Sequence, residues 1–162
     1  MIDNMQQSDW EQVRSIYLDG IATGDATFET SAPEWAKWHA DHLAEPRLVY
    51  REGQEICGWA ALSPVSGRCV YAGVAEVSVY VARDSWGRGV GRSLLSALVA
   101  RSEQSGIWTL QAGVFPENRA SIELHLKCGF REVGVREKMG QMAGKWRDVV
   151  LLERRSKLAS LN

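Results

Sequence analysis

A glycine-rich turn between a predicted strand and a predicted helix constrains the fold of this chain more than any other feature. Residues 74–81 alternate valines with polar residues, which predicts a β-strand. Gly87, Gly89 and Gly91 follow, and a helical apolar pattern begins at Val90. Glycines let a ligand approach the backbone, and a helix N-terminus offers free N–H groups and a positive dipole end. The segment therefore favours a phosphate or pyrophosphate site, although a plain strand-to-helix connection remains the alternative.

The side chains around this turn define the rim of the predicted phosphate site. Arg88 and Arg92 add positive charge there, and Ser93 adds a hydroxyl. The turn contains no lysine, which excludes the P-loop of nucleotide triphosphatases. The dinucleotide-binding fingerprint is also excluded, because it requires glycine or alanine where this chain has Arg92 or Leu94.

Helical and strand patterns alternate along the whole chain, which predicts one α/β or α+β domain over residues 1–162. The core is expected over about 1–154, followed by a fraying tail over 155–162. A Ser8/Glu11 capping pair is expected to open the first helix, which ends at Gly24. A second helix begins around Ser31–Glu34 and stops at Pro46. The other predicted elements are strands Leu48–Arg51, Ile56–Leu62, Val74–Val81, Trp108–Val114, Phe130–Glu137 and Trp146–Glu153, helices from Val90 and over Arg119–Lys127, and a glycine-rich turn at Gly140–Gly144.

Composition excludes several classes of function. Nineteen basic and 20 acidic residues give a net charge of −1, which argues against nucleic-acid binding through a basic surface. No run approaches the ~20 apolar residues of a membrane span, and no secretory signal is visible. Three scattered cysteines indicate a reducing, cytoplasmic environment rather than a disulfide framework. His39 and His42 lack a third ligand, so no metal site is predicted.

The turn and its neighbours resemble the acetyl-coenzyme A loop of the GNAT acyltransferase superfamily, whose pattern is Q/R-x-x-G-x-G/A. Gly89 and Gly91 match the two small positions, and Trp86 departs from the first. An asparagine-capped helix that ends at Gly129 follows at the spacing of the family. The resemblance implies a GNAT fold: a mixed, strongly twisted central sheet flanked by helices.

Further segments are similar to one branch, the phosphinothricin and methionine-sulfoximine N-acetyltransferases. The matching segments are Thr27-Phe28-Glu29-Thr30, Ala75–Val81, Asn118, Leu124-His125 and Gly144-Lys145-Trp146-Arg147-Asp148. This similarity implies acetyl-CoA as cosubstrate and the α-amine of a small amino-acid-like molecule as acceptor. Phosphinothricin, methionine sulfoximine, methionine sulfone and arsinothricin are the types expected. It also implies a homodimer and direct transfer in a ternary complex.

An amine must lose a proton before it attacks a thioester. For an amine with a lysine-like unperturbed pKa of ~10.4 the neutral form costs about 4.6 kcal/mol at pH 7, and a nearby carboxylate can accept the proton as base. Glu76 lies among valines in the strand and matches the family's glutamate base. The alternative is a structural ion pair between Glu76 and an arginine such as Arg68.

The resemblance assigns the remaining site residues. The strand backbone at Val79, Tyr80 and Val81 would pair with the pantetheine arm. His125 would protonate the leaving thiolate or relay a proton, although a packed structural histidine is an equal alternative. The expected cofactor-binding set is Val79, Tyr80, Val81, Gly87, Arg88, Gly89, Val90, Gly91, Arg92, Ser93 and Asn118. The expected acceptor-pocket set is Phe28, Glu29, Arg68, Tyr71, Lys145 and Trp146.

Two other functions stay open at this level. A GNAT fold that holds acetyl-CoA as a sensor would transfer nothing, but the chain keeps both Glu76 and His125. Peptide or protein N-acetylation would require an open groove. Residues 69–75 carry no charge where some relatives place polar or basic residues, and only Arg68 remains beside them, so an acceptor other than phosphinothricin stays open.

Overall fold

The strand of the strand–turn–helix segment is the central strand of a mixed sheet. The computed structural model describes residues 1–159. The strands are β1 (Ile2–Asn4), β2 (Arg47–Glu52), β3 (Glu55–Pro64), β4 (Val74–Val81), β5 (Thr109–Val114), β6 (Arg131–Met142) and β7 (Lys145–Arg155). The helices are α1 (Trp10–Ala22), α2 (Trp35–Asp41), α3 (Val90–Gln104) and α4 (Arg119–Lys127).

The strand order is β1-β2-β3-β4-β5-β7-β6. Strands β4 and β5 are parallel, and the other neighbouring strands are antiparallel. The parallel pairing runs from Val74–Thr109 to Glu76–Gln111, whereas β3 pairs with β4 as far as Val81. The two central strands therefore separate after Glu76, and this opens a slot beside the second half of β4. The predicted single domain with a mixed, helix-flanked sheet is confirmed.

Two apolar layers hold the helices on opposite faces of the sheet. On one face, α3 buries Leu94, Leu95 and Leu98 completely against the sheet. On the other face, Trp10 and Val13 of α1 and Trp38 of α2 pack with Trp59 of β3 in a second cluster. Several of the chain's seven tryptophans therefore belong to the core. The β4 side chains alternate between the two layers, as the sequence pattern predicted.

The start of α1 differs from the prediction. The Ser8/Glu11 capping pair is wrong: a short 3₁₀ turn, Gln7–Asp9, precedes the helix, and the Asp9 carboxylate accepts a hydrogen bond from the Gln6 N–H at 2.8 Å. Asp9 also pairs with Arg51 at 3.0 Å. This ion pair with a residue far away in the sequence stabilises the Asp9 carboxylate in this position. Strand β1 was not predicted, because three residues are too few to show an alternating pattern.

The second helix is shorter than predicted. It ends at Asp41, since His42 is extended and the Leu43 N–H donates to Leu62 O of β3 at 2.8 Å. Pro46 lies beyond that end and does not terminate the helix. The hydrogen bond from Leu43 to β3 thus replaces the bond that would continue the helix.

The last hairpin is tighter than the predicted glycine-rich turn at Gly140–Gly144. Gly140 lies within β6, and the turn consists of Ala143 and Gly144, both with positive φ. This is the geometry of a two-residue hairpin loop, which matches the twist of the flanking strands.

The C-terminal tail is held in place as far as Ala159, so its predicted fraying is wrong over the described residues. Ser156 is buried and donates to Glu103 at 2.8 Å. Its hydroxyl oxygen accepts from the N–H groups of Leu158 and Ala159. Residues 160–162 lie outside the described residues. Over 1–159, none of the helices combines the length and the apolar content needed to cross a bilayer.

Candidate active site

The turn before α3 forms a cradle with open space above the backbone. Gly87 and Gly89 adopt left-handed conformations, with φ of +73° and +81°, and no atom lies within 4 Å of the position of an added Cβ. Gly91 has a different role, because its Cβ position lies 3.3 Å from Leu124 of α4 and glycine permits that close packing. The Gly89 N-cap offers no side chain to the first-turn N–H groups. These donors and the open cradle fit a pyrophosphate.

The side chains beside the cradle have partners of their own. Arg88 donates two hydrogen bonds to Glu52, at 2.8 and 3.0 Å, so its guanidinium is directed to the β2–β3 hairpin. Trp86 donates from Nε1 to Val81 O at 2.9 Å. The departure from the loop motif therefore has a structural function: the indole caps the carbonyl at the end of β4. The Val81 carbonyl therefore already accepts a hydrogen bond. Val79 pairs with β3 on one side but, among the described residues, has no strand partner on the β5 side, where the slot opens.

Glu76 is half-buried at the last residue pair before β4 and β5 separate. In the sheet it lies between Ser63 of β3 and Gln111 of β5. Gln111 donates from Nε2 to Glu76 Oε1 at 3.3 Å. Over residues 1–159 no ion pair joins Glu76 to Arg68, whose guanidinium lies over the ring of Tyr71 at 5.4 Å. The carboxylate thus has a neutral amide partner, which orients it without cancelling its charge.

A cavity of about 480 Å³ lies on the Glu76 face of the sheet. Its floor includes Ser63 and Ser78, the neighbours of Glu76 in β3 and β4. Its walls combine aromatic rings with residues of the segment between α1 and α2. The wall residues include Tyr17, Thr27, Glu29, Trp38, His42, Trp59 and Tyr80. Such a partly open cavity with aromatic walls is suited to a small molecule.

Burial favours the neutral forms of two wall residues, Tyr80 and His42. Burial raises the pKa of Tyr80, whose ring stacks on Trp59 at 4.9 Å between centroids. Burial also lowers the pKa of His42, whose ring stacks on Trp38 at 4.0 Å. His42 Nδ1 lies 2.7 Å from Trp38 O. Since a carbonyl only accepts, Nδ1 carries the proton and Nε2 is an acceptor. The sequence reasoning considered His42 only as a metal ligand.

The predicted acceptor-pocket residues lie in four different places. Glu29 lines the cavity, whereas Phe28 packs on Phe115 with 4.8 Å between ring centroids. Arg68 and Tyr71 are exposed and contact each other. Lys145 and Trp146 line a second, more open cavity of about 490 Å³ at the β6–β7 hairpin. Within the described chain, the structure therefore brings one residue of this set, Glu29, to the main cavity.

His125 is buried in α4, with its ring edge-on to Phe130. Its Nδ1 lies 2.7 Å from Ser121 O and therefore carries the proton. Its Nε2 is buried and finds no hydrogen-bond partner within residues 1–159. Burial lowers the pKa of this imidazole. The ring thus presents an unused lone pair, which is able to take a proton and to donate one only afterwards. An unsatisfied buried polar atom costs about 1–3 kcal/mol, which marks Nε2 as a candidate functional atom.

Asn118 caps α4 as predicted: its Oδ1 accepts from the Ser121 N–H at 3.2 Å. Its Nδ2 donates to Asp25 O at 3.2 Å, in the segment that carries Glu29. Arg147 of β7 holds the same segment through hydrogen bonds to Gly24 O and to Asp25 Oδ1. The sequence reasoning missed Gln111 and Arg147 as site residues. Both act through partners that are distant in the chain; Arg147 lies in a segment that matches the branch, but that match assigned it no role.

The described geometry agrees with comparisons to known proteins. The model of the acetyltransferase (GNAT) family matches residues 6–130. The chain is a member of this family and an acetyl-CoA-dependent N-acetyltransferase. Among the curated relatives, phosphinothricin N-acetyltransferase of Alcaligenes faecalis is 36% identical over 157 residues, which cover 93% of this chain and 79% of the relative. A methionine sulfoximine/methionine sulfone acetyltransferase of Pseudomonas paraeruginosa is 30% identical, covering 90% and 88%. The predicted branch is thereby confirmed.

Solved structures give the same result for the fold and the cosubstrate. YncA of Salmonella typhimurium, solved with its cofactor acetyl-CoA, has a TM-score of 0.89 and 25% identity and covers 100% of this chain and 97% of its own. A ribosomal-protein-alanine N-acetyltransferase from Brucella melitensis has a TM-score of 0.87 and 27% identity, with coverage of 96% and 99%. The prediction of acetyl-CoA as cosubstrate is confirmed.

Proposed function

We propose that this enzyme acetylates the α-amine of a small amino-acid-like acceptor of the methionine sulfoximine, methionine sulfone, phosphinothricin or arsinothricin type. The observation that carries the proposal is the position of Glu76: a carboxylate with a neutral amide partner, next to the cavity-lining residues Ser63 and Ser78 and at the last residue pair before β4 and β5 separate. The names of the curated relatives support this acceptor class.

Acetyl-CoA supplies an activated acetyl group as a thioester. The cradle residues Gly87–Gly91 and the first turn of α3 would hold its pyrophosphate, and the free edge of β4 at Val79 would pair with its pantetheine arm. Both contacts use main-chain groups. They direct the thioester into the slot that opens next to Glu76.

Glu76 would act as the base in direct transfer within a ternary complex. The carboxylate takes a proton from the acceptor ammonium, directly or through one water. The amine nitrogen then forms the N–C bond to the acetyl carbon, and the C–S bond breaks. The second amine proton leaves the nitrogen as the amide forms, and the departing thiolate gains a proton. His125 Nε2 would take part in that second transfer as a relay that accepts before it donates.

The charge pattern of the cavity predicts a preference among these acceptors. Lys37 is bound to Asp41 at 2.6 Å, and His42 is held neutral, so Glu29 is the charge without a partner among the described cavity residues. We expect neutral side chains, as in the sulfoximine and the sulfone, to bind better than a phosphinate anion. This agrees with the uncharged segment 69–75.

Thiol release from acetyl-CoA tests the proposal. The panel holds methionine sulfoximine, methionine sulfone, phosphinothricin, plain amino acids and a peptide with an N-terminal alanine. Wild type and Glu76→Gln are compared, with the exposed Glu55→Gln as the matched control. We expect turnover of one or more analogues and a loss of about 10²–10⁴-fold in kcat/KM for Glu76→Gln alone.

Two other results would refute the proposal. Turnover of the peptide in preference to the analogues would support the protein N-acetyltransferase alternative, which the similarity to the Brucella structure keeps under test. Binding of acetyl-CoA without turnover of any acceptor would support the sensor alternative. A homodimer and a cytoplasmic location stay predictions from the resemblance and from the cysteine pattern.

A further inference from the structure

Arg147 joins parts of the molecule that are far apart in the chain. Its side chain is 16% exposed, at the start of β7. Nη1 donates to Gly24 O at 2.9 Å, and Nη2 donates to Asp25 Oδ1 at 2.9 Å. Nη2 also lies 3.3 Å from Glu117 Oε2, in the connection between β5 and α4. One guanidinium therefore bridges the C-terminal hairpin, the end of α1 and the approach to α4.

The same guanidinium completes an aromatic contact. It lies over the ring of Phe115 at 4.0 Å from the centroid. Phe28 also contacts Phe115, in a T-shaped arrangement with 4.8 Å between the ring centroids. Gly140 of β6 leaves room for Phe28, since a Cβ there would lie 3.0 Å from the phenyl ring. The hairpin and Phe115 thus hold Phe28 in place, whereas Arg147 holds Gly24 and Asp25 a few residues earlier in the same segment.

This segment, residues 25–30, is here called the acceptor loop. Thr27 and Glu29 of the loop line the 480 Å³ cavity, whereas Arg147 does not. Asn118 adds a third attachment through Asp25 O. The loop has no regular secondary structure that would hold Thr27 and Glu29 in place. Its position therefore depends on these attachments.

We propose that Arg147 is a positioning residue, which holds the acceptor loop against the hairpin so that Thr27 and Glu29 form the wall of the acceptor site. The inference rests on the proposed function, since it takes the cavity as the acceptor site. Two nitrogens of one planar group reach Asp25 at the start of the loop and Gly24 just before it. Lysine, a single point charge on a flexible chain, is a poor replacement for such a fork.

The test compares Arg147→Ala and Arg147→Lys with wild type. Arg136→Lys, at an exposed position of the same hairpin, is the matched control. Steady-state kinetics give kcat and KM for the acceptor that wild type uses best. Titration calorimetry gives the Kd of acetyl-CoA, and circular dichroism reports folding. Hydrogen exchange with mass spectrometry follows residues 24–30 in protein without ligands, and this readout requires no activity.

We expect Arg147→Ala to raise the acceptor KM about tenfold, the effect of losing one to two charge-assisted hydrogen bonds. We expect kcat and the Kd of acetyl-CoA to stay within about twofold, because Arg147 contacts neither the cradle nor β4. Exchange at residues 24–30 should accelerate. Arg147→Lys should recover part of the loss, and Arg136→Lys should behave as wild type.

An unchanged acceptor KM, or unchanged exchange at residues 24–30 in folded Arg147→Ala, would overturn the inference. Parallel losses in KM, Kd and thermal stability would also overturn it, since they indicate a general structural role. If wild type acetylates no acceptor, the proposed function fails, whereas the exchange experiment still decides whether Arg147 holds the loop.

Discussion

Adding one methyl group to the cradle tests where acetyl-CoA binds. Gly89 has a φ of +81° and open space at its Cβ position, so alanine there meets a backbone penalty without a steric clash. A left-handed alanine costs about 1–2 kcal/mol. For a chain of this size, that corresponds to a decrease in Tm of roughly 2–8 °C. The new methyl group would also project from the surface that we assign to the pyrophosphate.

Gly106 offers a closely matched control at the other end of the same helix. Its φ is +80°, and its Cβ position is equally open. Alanine at Gly106 should therefore cost about the same stability as alanine at Gly89. It lies outside the cradle, so it should leave the binding of acetyl-CoA unchanged.

Thermal unfolding and titration calorimetry with acetyl-CoA separate the two effects. We expect similar decreases in Tm for both variants and a Kd that rises about 10–100-fold for Gly89→Ala alone, the equivalent of one or two lost charge-assisted hydrogen bonds. Equal Kd values for the two folded variants would refute the assignment of the cradle. Loss of binding in Gly106→Ala would show that the effect comes from α3 as a whole.

Three further predictions concern packing, the rim of the cradle and pH. Gly73→Ala should lower the unfolding free energy by about 2–3 kcal/mol, because its Cβ would lie 1.9 Å from Trp108, whereas Gly67→Ala, in open space, should be nearly neutral in the same urea titration. Arg88→Ala should change the Kd of acetyl-CoA less than about threefold in calorimetry, because the Arg88 guanidinium is bound to a carboxylate of the β2–β3 hairpin. A change of about tenfold would contradict this and would indicate that Arg88 contacts the pyrophosphate. Burial lowers the pKa of His125 from its usual value of 6.5, so the unfolded chain binds the extra proton first and stability falls as the pH drops below about 6.5. Urea titrations at pH 7.5 and 5.5 should show a smaller loss for His125→Gln than for wild type, and equal losses would contradict this origin.

Local signals in the sequence were sufficient to predict several of the elements that surround the candidate site. The alternation of valines predicted β4 with the bounds that the structure shows, and Asn118 and Gly129 marked the two ends of α4. The spacing of Gly87, Gly89 and Gly91 indicated the turn before α3, because left-handed backbone conformations in such a turn favour glycine at particular neighbouring positions. Such features depend on contacts within a few residues, so their residue types are visible in the printed order.

Where distant partners compete with local preference, the sequence pattern was misleading. Asp9 rather than Ser8 forms the turn before α1, because Arg51 lies within reach of its carboxylate. The second helix stops at Asp41, because Leu43 pairs with β3 instead. Lys145 and Trp146 lie at a second cavity, and their contact with the acceptor stays a prediction.

By itself, the sequence indicated most of the helices and strands, the glycine-rich turn before α3, the position of Glu76 within β4 and the membership of the family. The tertiary structure alone decided which groups meet. Gln111 reaches Glu76 across 35 residues of chain, and Arg147 reaches Asp25 across 122. The cavity wall likewise combines β3, β4, α1, α2 and the acceptor loop. The physical reason is that a turn or a strand is specified by neighbouring backbone geometry, whereas a site depends on hydrogen bonds and packing between segments that only the folded sheet brings together.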